Sequence, residues 1–139
     1  MKPHQIAREY VGTPFHHQGR VKGVGVDCVG LVLCVARELG TVAPEWDVPG
    51  YSRYPDGVDL VRHLDDKFIK ITENEMRPGD VVLVAFAKYP QHVGIVGDYV
   101  HGGLSIIHAD GLRGKVLETR LMFTPAMRFV GAYRFPEVN

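Results

Sequence analysis

The stretch Asp27-Cys28-Val29-Gly30-Leu31, together with the residues that follow it as far as Gly40, decides how this chain folds. Residues 28–36 carry no charged side chain. The pattern predicts a helix with Asp27 as N-cap and Gly40 as C-cap. Because this helix is apolar all round, we expect it to be buried on most sides. Residues 19–26, just upstream, are rich in glycine and predict an irregular loop.

Cys28 is predicted to occupy the first position of that helix. There the unpaired backbone N–H groups and the positive end of the helix dipole favour a thiolate. Free cysteine is also a common core residue. For Cys28 considered alone, a structural role in the core and a role as a reactive thiol are equally well supported. Cys34, well inside the helix, is expected to be an ordinary core residue. A partner for Cys28 decides between the two interpretations.

The composition of the 139 residues is typical of one globular domain, here 1–139. The formal net charge is zero, which argues against a nucleic-acid partner. The two cysteines are six residues apart on one predicted helix, so no disulfide is expected. No signal-peptide pattern and no long apolar run is present. We therefore expect a chain that is cytoplasmic on synthesis and has no membrane partner.

The order of the predicted elements defines the fold class. Helices come first and consecutive strands follow, which indicates an α+β domain with helices on one face of an antiparallel sheet of about five strands. Helices are predicted over residues 3–11, 28–39 and 58–68. An irregular connector is predicted over residues 41–59. The predicted strands are 81–86, 92–99, 104–110, 115–121 and 129–135.

Two of the seven histidines, His92 and His108, lie inside predicted apolar strands. The others that we assign, His4, His63 and His101, are expected at the solvated surface. An odd-length loop centred on Val100 would place His92 directly opposite His108 on one sheet face, whereas a two-residue turn at Gly102-Gly103 would put them out of register. If the Cys28 helix packs over that face, the three side chains form a Cys–His–His triad.

Simpler interpretations stand beside the triad. A single histidine in a strand is more often a core residue with its hydrogen bonds satisfied. One cysteine and two histidines can also bind zinc, although the chain has no metal-binding spacing motif; we expect no metal and no cofactor. Asp27 is expected to turn its carboxylate toward the helix N–H groups, because a charge beside the sulfur would oppose ionisation. Gly30 is expected to allow another backbone to approach the first helical turn.

Five short motifs, in this order along the chain, resemble one known family. They are Gly12-Thr13-Pro14-Phe15, Asp27-Cys28-Val29-Gly30-Leu31, Pro78-Gly79-Asp80, His92-Val93-Gly94-Ile95 and Ile107-His108-Ala109. Together they resemble the NlpC-type cysteine peptidases, papain-like endopeptidases that cut the stem peptides of peptidoglycan. The resemblance covers about residues 5–135.

This resemblance implies that Cys28 is the nucleophile, His92 the general base and acid, and His108 the residue that orients His92. It also implies the bond that is cut, the γ-D-glutamyl to diamino-acid linkage of the stem peptide. Two positions depart from the family: Phe15 stands where a tyrosine is common, and Val29 where a serine is usual.

Further substrate contacts are predicted around the cleft. Phe15 and Asp27 are candidates by position, and His16, His17 or Gln18 is a candidate to supply the hydrogen-bond donor that Phe15, without a tyrosine hydroxyl, lacks. Arg20, with Lys22 as a second choice, is a candidate cation for substrate carboxylates.

The lone compact domain resembles the branch of the family found in phage tails and gene-transfer agents, which implies tail proteins as partners and incorporation into a particle. Two alternatives remain open. One is a structural tail-assembly protein with a peptidase fold, for which the aromatic residues Trp46, Tyr51 and Tyr54 are a candidate contact surface. The other is a thiol amidase or acyltransferase that acts on a lipid or a host protein.

Overall fold

The computed structural model describes residues 1–48, 58–86 and 89–138. Three helices and eight strands are present in this part of the chain, together with a 3-10 turn at Glu73–Glu75. The helices are α1 (Pro3–Arg8), α2 (Cys28–Leu39) and α3 (Val58–Lys67). The strands are β1 (Arg20–Val21), β2 (Gly25–Val26), β3 (Ile69–Ile71), β4 (Val81–Phe86), β5 (Tyr89–Asp98), β6 (Leu104–Asp110), β7 (Lys115–Arg120) and β8 (Arg128–Arg134).

Six of the strands form one antiparallel sheet in the order β3-β8-β4-β5-β6-β7. The α+β class is therefore confirmed, with six strands in place of about five. The additional strand is β3, which pairs with β8 through Ile69–Arg134 and Ile71–Ala132. Its three residues are too few to show a period in the sequence. No helix in the described part is long and apolar enough to cross a membrane.

Helix α2 has the predicted caps and burial. The Asp27 carboxylate accepts a hydrogen bond from the Gly30 N–H at 2.7 Å, and Gly40 ends the helix in the left-handed conformation. All residues from Val29 to Ala36 are buried. The prediction of an irregular loop before α2 was wrong: β1 and β2 form a small hairpin, because a three-residue turn around Gly23, with φ of 76°, lets the strands pair.

The two faces of the large sheet bury different residues. Helices α1 and α2 pack on the face that carries Val93, Ile95 and Ile107. The other face carries a second cluster that no helix of the described residues covers. Its buried members are Val82, Val84, Val96 and Ile106, with Met76, Leu104, Leu121, Phe123, Met127 and Phe129 packed at its edge.

The β5–β6 hairpin differs by one position from its predicted register. Its strands end at the pair Asp98–Leu104, so the loop covers residues 99–103 and is centred on His101. The loop has odd length, as predicted, but the prediction that it is centred on Val100 was wrong. His92 and His108 therefore share a face as diagonal neighbours, not as directly opposite residues.

The N-terminal region shows two further differences from the sequence predictions. Helix α1 ends at Arg8, and the residues up to Gly12 form turns. His4, predicted at the surface, is only 7% exposed, because α1 packs it against the sheet beside Gly79 and Asp98. His101 is exposed as predicted, whereas His63 is partly buried beside the Trp46 ring.

Candidate active site

The two strand histidines are hydrogen-bonded to each other. Nε2 of His92 lies 2.7 Å from Nδ1 of His108, and the two rings meet edge to face with their centroids 4.9 Å apart. Both residues are buried. The contact crosses a point where the sheet opens, since the last residue pair between β5 and β6 is Ile95–Ile107. Side chains, and not the backbone ladder, join the two strands at this end.

Cys28 lies at the same opening. It is the first residue of α2 and is half-buried, and the backbone N–H of Val93 faces its sulfur. The direction of that N–H follows from the ladder: Val96 donates to Asp80 on the β4 side, so by alternation Val93 directs its N–H toward β6. Because the β5–β6 ladder has ended there, that N–H is available to the thiol. Helix and sheet thus bring Cys28 beside the residue that follows His92.

The approach of α2 to the histidines differs from the prediction. We expected α2 to pack over the face that carries His92 and His108. By strand alternation the two histidines belong instead with Val96 and Ile106, on the other face. Helix α2 packs over Val93, Ile95 and Ile107, because these apolar side chains match its apolar surface. The thiol therefore approaches the histidine strand at the opening between β5 and β6.

The ionisable groups of the site are held in their neutral forms. Burial, together with the nearby charge of Asp27, raises the pKa of the Cys28 thiol to about 11. Burial and the neighbouring His108 lower the pKa of His92 to about 3, and burial also lowers the pKa of His108. The N–H groups of Cys28, Val29 and Val93 favour the thiolate but do not outweigh burial. Burial therefore favours a neutral thiol and a neutral histidine pair at rest, in place of the thiolate expected from the helix terminus.

Sequence reasoning missed three contributors to this end of the sheet. The Phe86 ring lies 5.2 Å from the His92 ring and covers one side of it. At Gly94, an added Cβ would lie 2.6 Å from the Ile106 side chain and 3.0 Å from the Ile107 carbonyl oxygen. The third is the Val93 N–H, a backbone group that no residue type marks. The glycine in His92-Val93-Gly94-Ile95 was the one available signal.

Asp27 stabilises the start of α2, as predicted, because its carboxylate accepts a helix N–H group. Besides the Gly30 N–H it accepts the Gln18 N–H at 2.7 Å, and Arg20 lies 3.3 Å from it. Gly30 is needed for the predicted reason, since an added Cβ would clash with the Gly19 carbonyl oxygen. These contacts hold the segment before the hairpin against α2.

The two candidate cations are in ion pairs within the protein. Arg20 contacts Asp27 and, at 3.1 Å, Asp47, and its side chain is 13% exposed. Lys22 lies between Glu9 and Glu38. A role for Arg20 toward a substrate carboxylate therefore requires it to exchange a carboxylate partner that it already has.

The remaining candidates line the segment that leads to β1. Phe15 is partly buried, its N–H donates to the Gly114 carbonyl at 2.8 Å, and its ring lies against Gly111 in the turn after β6. His17 is half-buried with Nδ1 3.9 Å from the Asp27 carboxylate. Gln18 is exposed and has a positive φ of 59°. Phe15 is therefore the candidate tied to the strand that carries His108.

Other features do not coincide with this site. In the described part of the chain, no three His, Cys, Asp or Glu side chains are grouped so that they could hold a metal ion. A groove of about 820 Å³ lies at the other end of the strands, bordered by His4, Asp80, Asp98 and Arg134, and none of the predicted site residues lines it. Trp46 is partly buried against the core, while Tyr51 and Tyr54 lie outside the described residues.

A helix with an N-terminal cysteine, packed on an antiparallel sheet that carries a histidine pair, defines the class of papain-like α+β proteins. Residues 12–130 match the model of the NlpC/P60 family, so the chain belongs to that family of cysteine peptidases. The predicted family is thereby confirmed. No curated protein sequence matches the chain.

Two solved structures are similar to the whole chain. One is the NlpC/p60 domain of the peptidoglycan hydrolase SagA, which is 21% identical, with 96% of this chain and 97% of that chain covered and a TM-score of 0.63. The other is the P60 domain from the M. avium subspecies paratuberculosis antigen MAP1204, also 21% identical, with 96% and 91% covered and a TM-score of 0.57. At this identity the likeness shows the fold.

Proposed function

We propose that this chain is an endopeptidase that hydrolyses an amide bond in peptidoglycan stem peptides, with Cys28 as nucleophile, His92 as base and His108 as its orienting partner. The observation that carries the proposal is the 2.7 Å bond between the histidines at the opening where the Cys28 thiol meets the Val93 N–H. Membership of the NlpC/P60 family and the fold shared with the peptidoglycan hydrolase SagA support it.

The histidine hydrogen bond indicates which ring nitrogen acts. If the Nε2–H of His92 donates to Nδ1 of His108, the Nδ1 of His92 is the free acceptor and takes the thiol proton. Because thiol and imidazole both start neutral, proton transfer accompanies the attack of sulfur on the substrate carbonyl. Of the atoms involved, sulfur gains a bond to carbon and His92 gains the proton.

The remaining steps use the same groups. Backbone N–H groups in the first turn of α2 are the donors for the oxyanion, in the position where helix ends favour negative charge. His92 returns its proton to the leaving amine, and the C–N bond breaks to give a thioester. Water, activated by His92, then hydrolyses the thioester and restores the Cys28 thiol.

The bond that we propose is the γ-D-glutamyl to diamino-acid linkage, and the setting is a phage or phage-like tail tip. The bond comes from the family resemblance of the five motifs, and the setting comes from the resemblance of the lone compact domain to the phage-tail and gene-transfer-agent branch. The structural alternative, a tail-assembly protein without activity, gains no support from Trp46, which packs against the core and meets the His63 ring edge to face.

The test is digestion of purified peptidoglycan followed by identification of the released fragments by mass. We expect fragments cut after the γ-D-glutamyl residue, and a loss of about 10³-fold or more for Cys28→Ala. Cys34→Ala is the matched control, because Cys34 lies buried in the same helix, its thiol donating to the Arg20 carbonyl. It should digest at the wild-type rate.

Three outcomes would contradict the proposal in different ways. Unchanged digestion by Cys28→Ala removes Cys28 from the chemistry. Fragments cut elsewhere overturn the proposed bond but retain the peptidase. No fragments from wild-type protein favour the structural role or another substrate. Thiol alkylation at neutral pH does not separate these cases, since the raised pKa of Cys28 predicts slow alkylation of the active enzyme as well.

A further inference from the structure

Asp110 ends β6 two residues after His108, so the two side chains share one face of the strand. Its carboxylate is fixed by the turn that follows: Oδ1 accepts the Leu112 N–H at 2.8 Å and the Arg113 N–H at 3.2 Å. No described residue hydrogen-bonds to its other oxygen, Oδ2. One half of the carboxylate therefore holds the turn and the other half is uncommitted.

The turn itself is anchored to the N-terminal segment. The Gly114 N–H donates to the Asp110 carbonyl at 2.8 Å, and the Gly114 carbonyl accepts the Phe15 N–H at the same distance. The Phe15 ring covers Gly111. These contacts keep the Asp110 carboxylate at one place relative to His108.

The charged side chains around the histidine pair differ in whether they favour or oppose its protonation. Asp110 is the one carboxylate of the described residues that favours a proton on His92 or on His108. Arg113, in the same turn, opposes a proton on His108. Lys115 is the cross-strand partner of Asp110 on β7, and Asp27 acts on Cys28 at the other side of the opening.

We propose that Asp110 is a positioning residue whose fixed negative charge stabilises the imidazolium that forms on the His92–His108 pair during catalysis. The inference rests on the proposed function. A buried pair that is neutral at rest must accept a proton in a desolvated place, and a fixed carboxylate two residues along the strand, about 7 Å between Cα atoms, lowers that cost without contacting the substrate. The charge acts through His108 on His92.

The test compares two substitutions with opposite effects. Asp110→Asn keeps an oxygen that accepts the two turn N–H groups but removes the charge; Arg113→Gln removes the opposing charge. We expect Asp110→Asn to lower kcat/KM by about 3- to 10-fold. The acidic limb of its pH profile should move to lower pH, by up to about one unit, because the protonated histidine pair loses a stabilising charge. Arg113→Gln should move the acidic limb to higher pH.

The controls separate the charge from the turn. Asp110→Ala removes both, so it should show the shifted limb of Asp110→Asn with an added loss of stability. If the acidic limb stays in place in both Asp110→Asn and Arg113→Gln, Asp110 only holds the turn and the inference is overturned.

Failure of the proposed function is distinguishable. If wild-type protein releases no fragments, histidine titrations followed by NMR in wild type and Asp110→Asn still decide the inference. A lower His108 pKa in Asp110→Asn supports it, and an equal pKa overturns it.

Discussion

The two ends of the β5–β6 strand pair both contain interacting polar side chains, but these side chains find their hydrogen-bond partners differently at each end. At the far end, around the last pair Asp98–Leu104, Arg8 donates to Asp98 at 2.7 Å and to Glu118 at 2.8 Å, and the Ser105 hydroxyl donates to Glu118 at 2.6 Å. At the site end the ladder stops at Ile95–Ile107, and one hydrogen bond joins two neutral rings.

The pKa values show what each end favours. The hydrogen bond from Arg8 holds the pKa of Asp98 below its usual range. Burial alone would raise the pKa of Glu118. The hydrogen bonds from Arg8 and Ser105 outweigh burial, so the pKa of Glu118 is lowered. At His92 burial acts without a compensating hydrogen bond from a charged group, so the neutral form wins. The far end stabilises charges that are permanent, whereas the site end keeps groups ready to exchange a proton.

The largest expected difference between the ends is in hydrolysis. His92→Gln should lower the rate of peptidoglycan digestion by about 10³-fold or more, because His92 is the proposed base for the Cys28 thiol. Its stability at pH 7 should change little, since a buried neutral ring is replaced by a neutral amide. The measurement is fragment release per unit time by wild type and variant.

Two controls frame that result. His101→Gln changes an exposed histidine in the loop that joins β5 and β6, and it should digest at the wild-type rate. Glu118→Gln should lower the stability and leave the rate intact. A wild-type rate in His92→Gln would separate the histidine pair from the chemistry.

The sequence predicted the elements of the site better than their arrangement. Helix α2 and both of its caps follow from local rules, as do the strands that carry His92 and His108. The register of the β5–β6 hairpin depends on which loop residues around His101 turn the chain, and it was misplaced by one position. The predicted and the observed loop both have odd length. The prediction that the two histidines lie on one sheet face was therefore unaffected by this error.

What the sequence did not predict depends on long-range contacts. Which sheet face α2 covers is decided by the apolar side chains of Val93 and Ile107, and so by the tertiary packing. The neutral state of Cys28 reflects burial, which outweighs the local effect of the helix terminus. His4 looked like a surface residue because the turn that covers it comes more than seventy residues later in the chain, at Gly79.

The same substitution, glycine to alanine, can be made at each end of β5, at Gly94 and at Gly97. An added Cβ at Gly94 would lie 2.6 Å from the buried Ile106 side chain; at Gly97 it would lie 2.6 Å from the Ser105 hydroxyl. Gly94→Ala and Gly97→Ala should each lower the free energy of unfolding by about 1–3 kcal/mol, because the neighbours must move. Urea unfolding at pH 7 measures both losses.

The activities of these two variants should differ. Gly94 lies between His92 and the last pair of the ladder, so Gly94→Ala displaces β6 where the histidines meet and should reduce digestion. Gly97→Ala disturbs the network of Arg8 and Glu118 and should digest at the wild-type rate per folded molecule. Equal losses of activity would mean that the two ends are mechanically coupled, contrary to the comparison.

The last expected effect is the pH dependence of stability contributed by His92. Its pKa is about 3 in the folded protein, against an ordinary 6.5 when unfolded, so between these values the unfolded chain binds more protons. The contribution is fully present above pH 6.5 and is lost as the pH falls toward 3. Between pH 7 and pH 5 one such histidine costs about 2 kcal/mol.

Urea unfolding of wild type and His92→Gln at pH 7 and pH 5 isolates this contribution. His4 and His108, whose pKa values burial also lowers, add to the slope of both proteins, so only the difference belongs to His92. The stability from Asp98 and Glu118 is lost only below about pH 5, where those carboxylates take up protons. His92→Gln should therefore lose about 2 kcal/mol less than wild type. Equal losses would show that His92 is protonated in the folded protein at pH 5, and the neutral pair at the open end would then be the wrong description of the site.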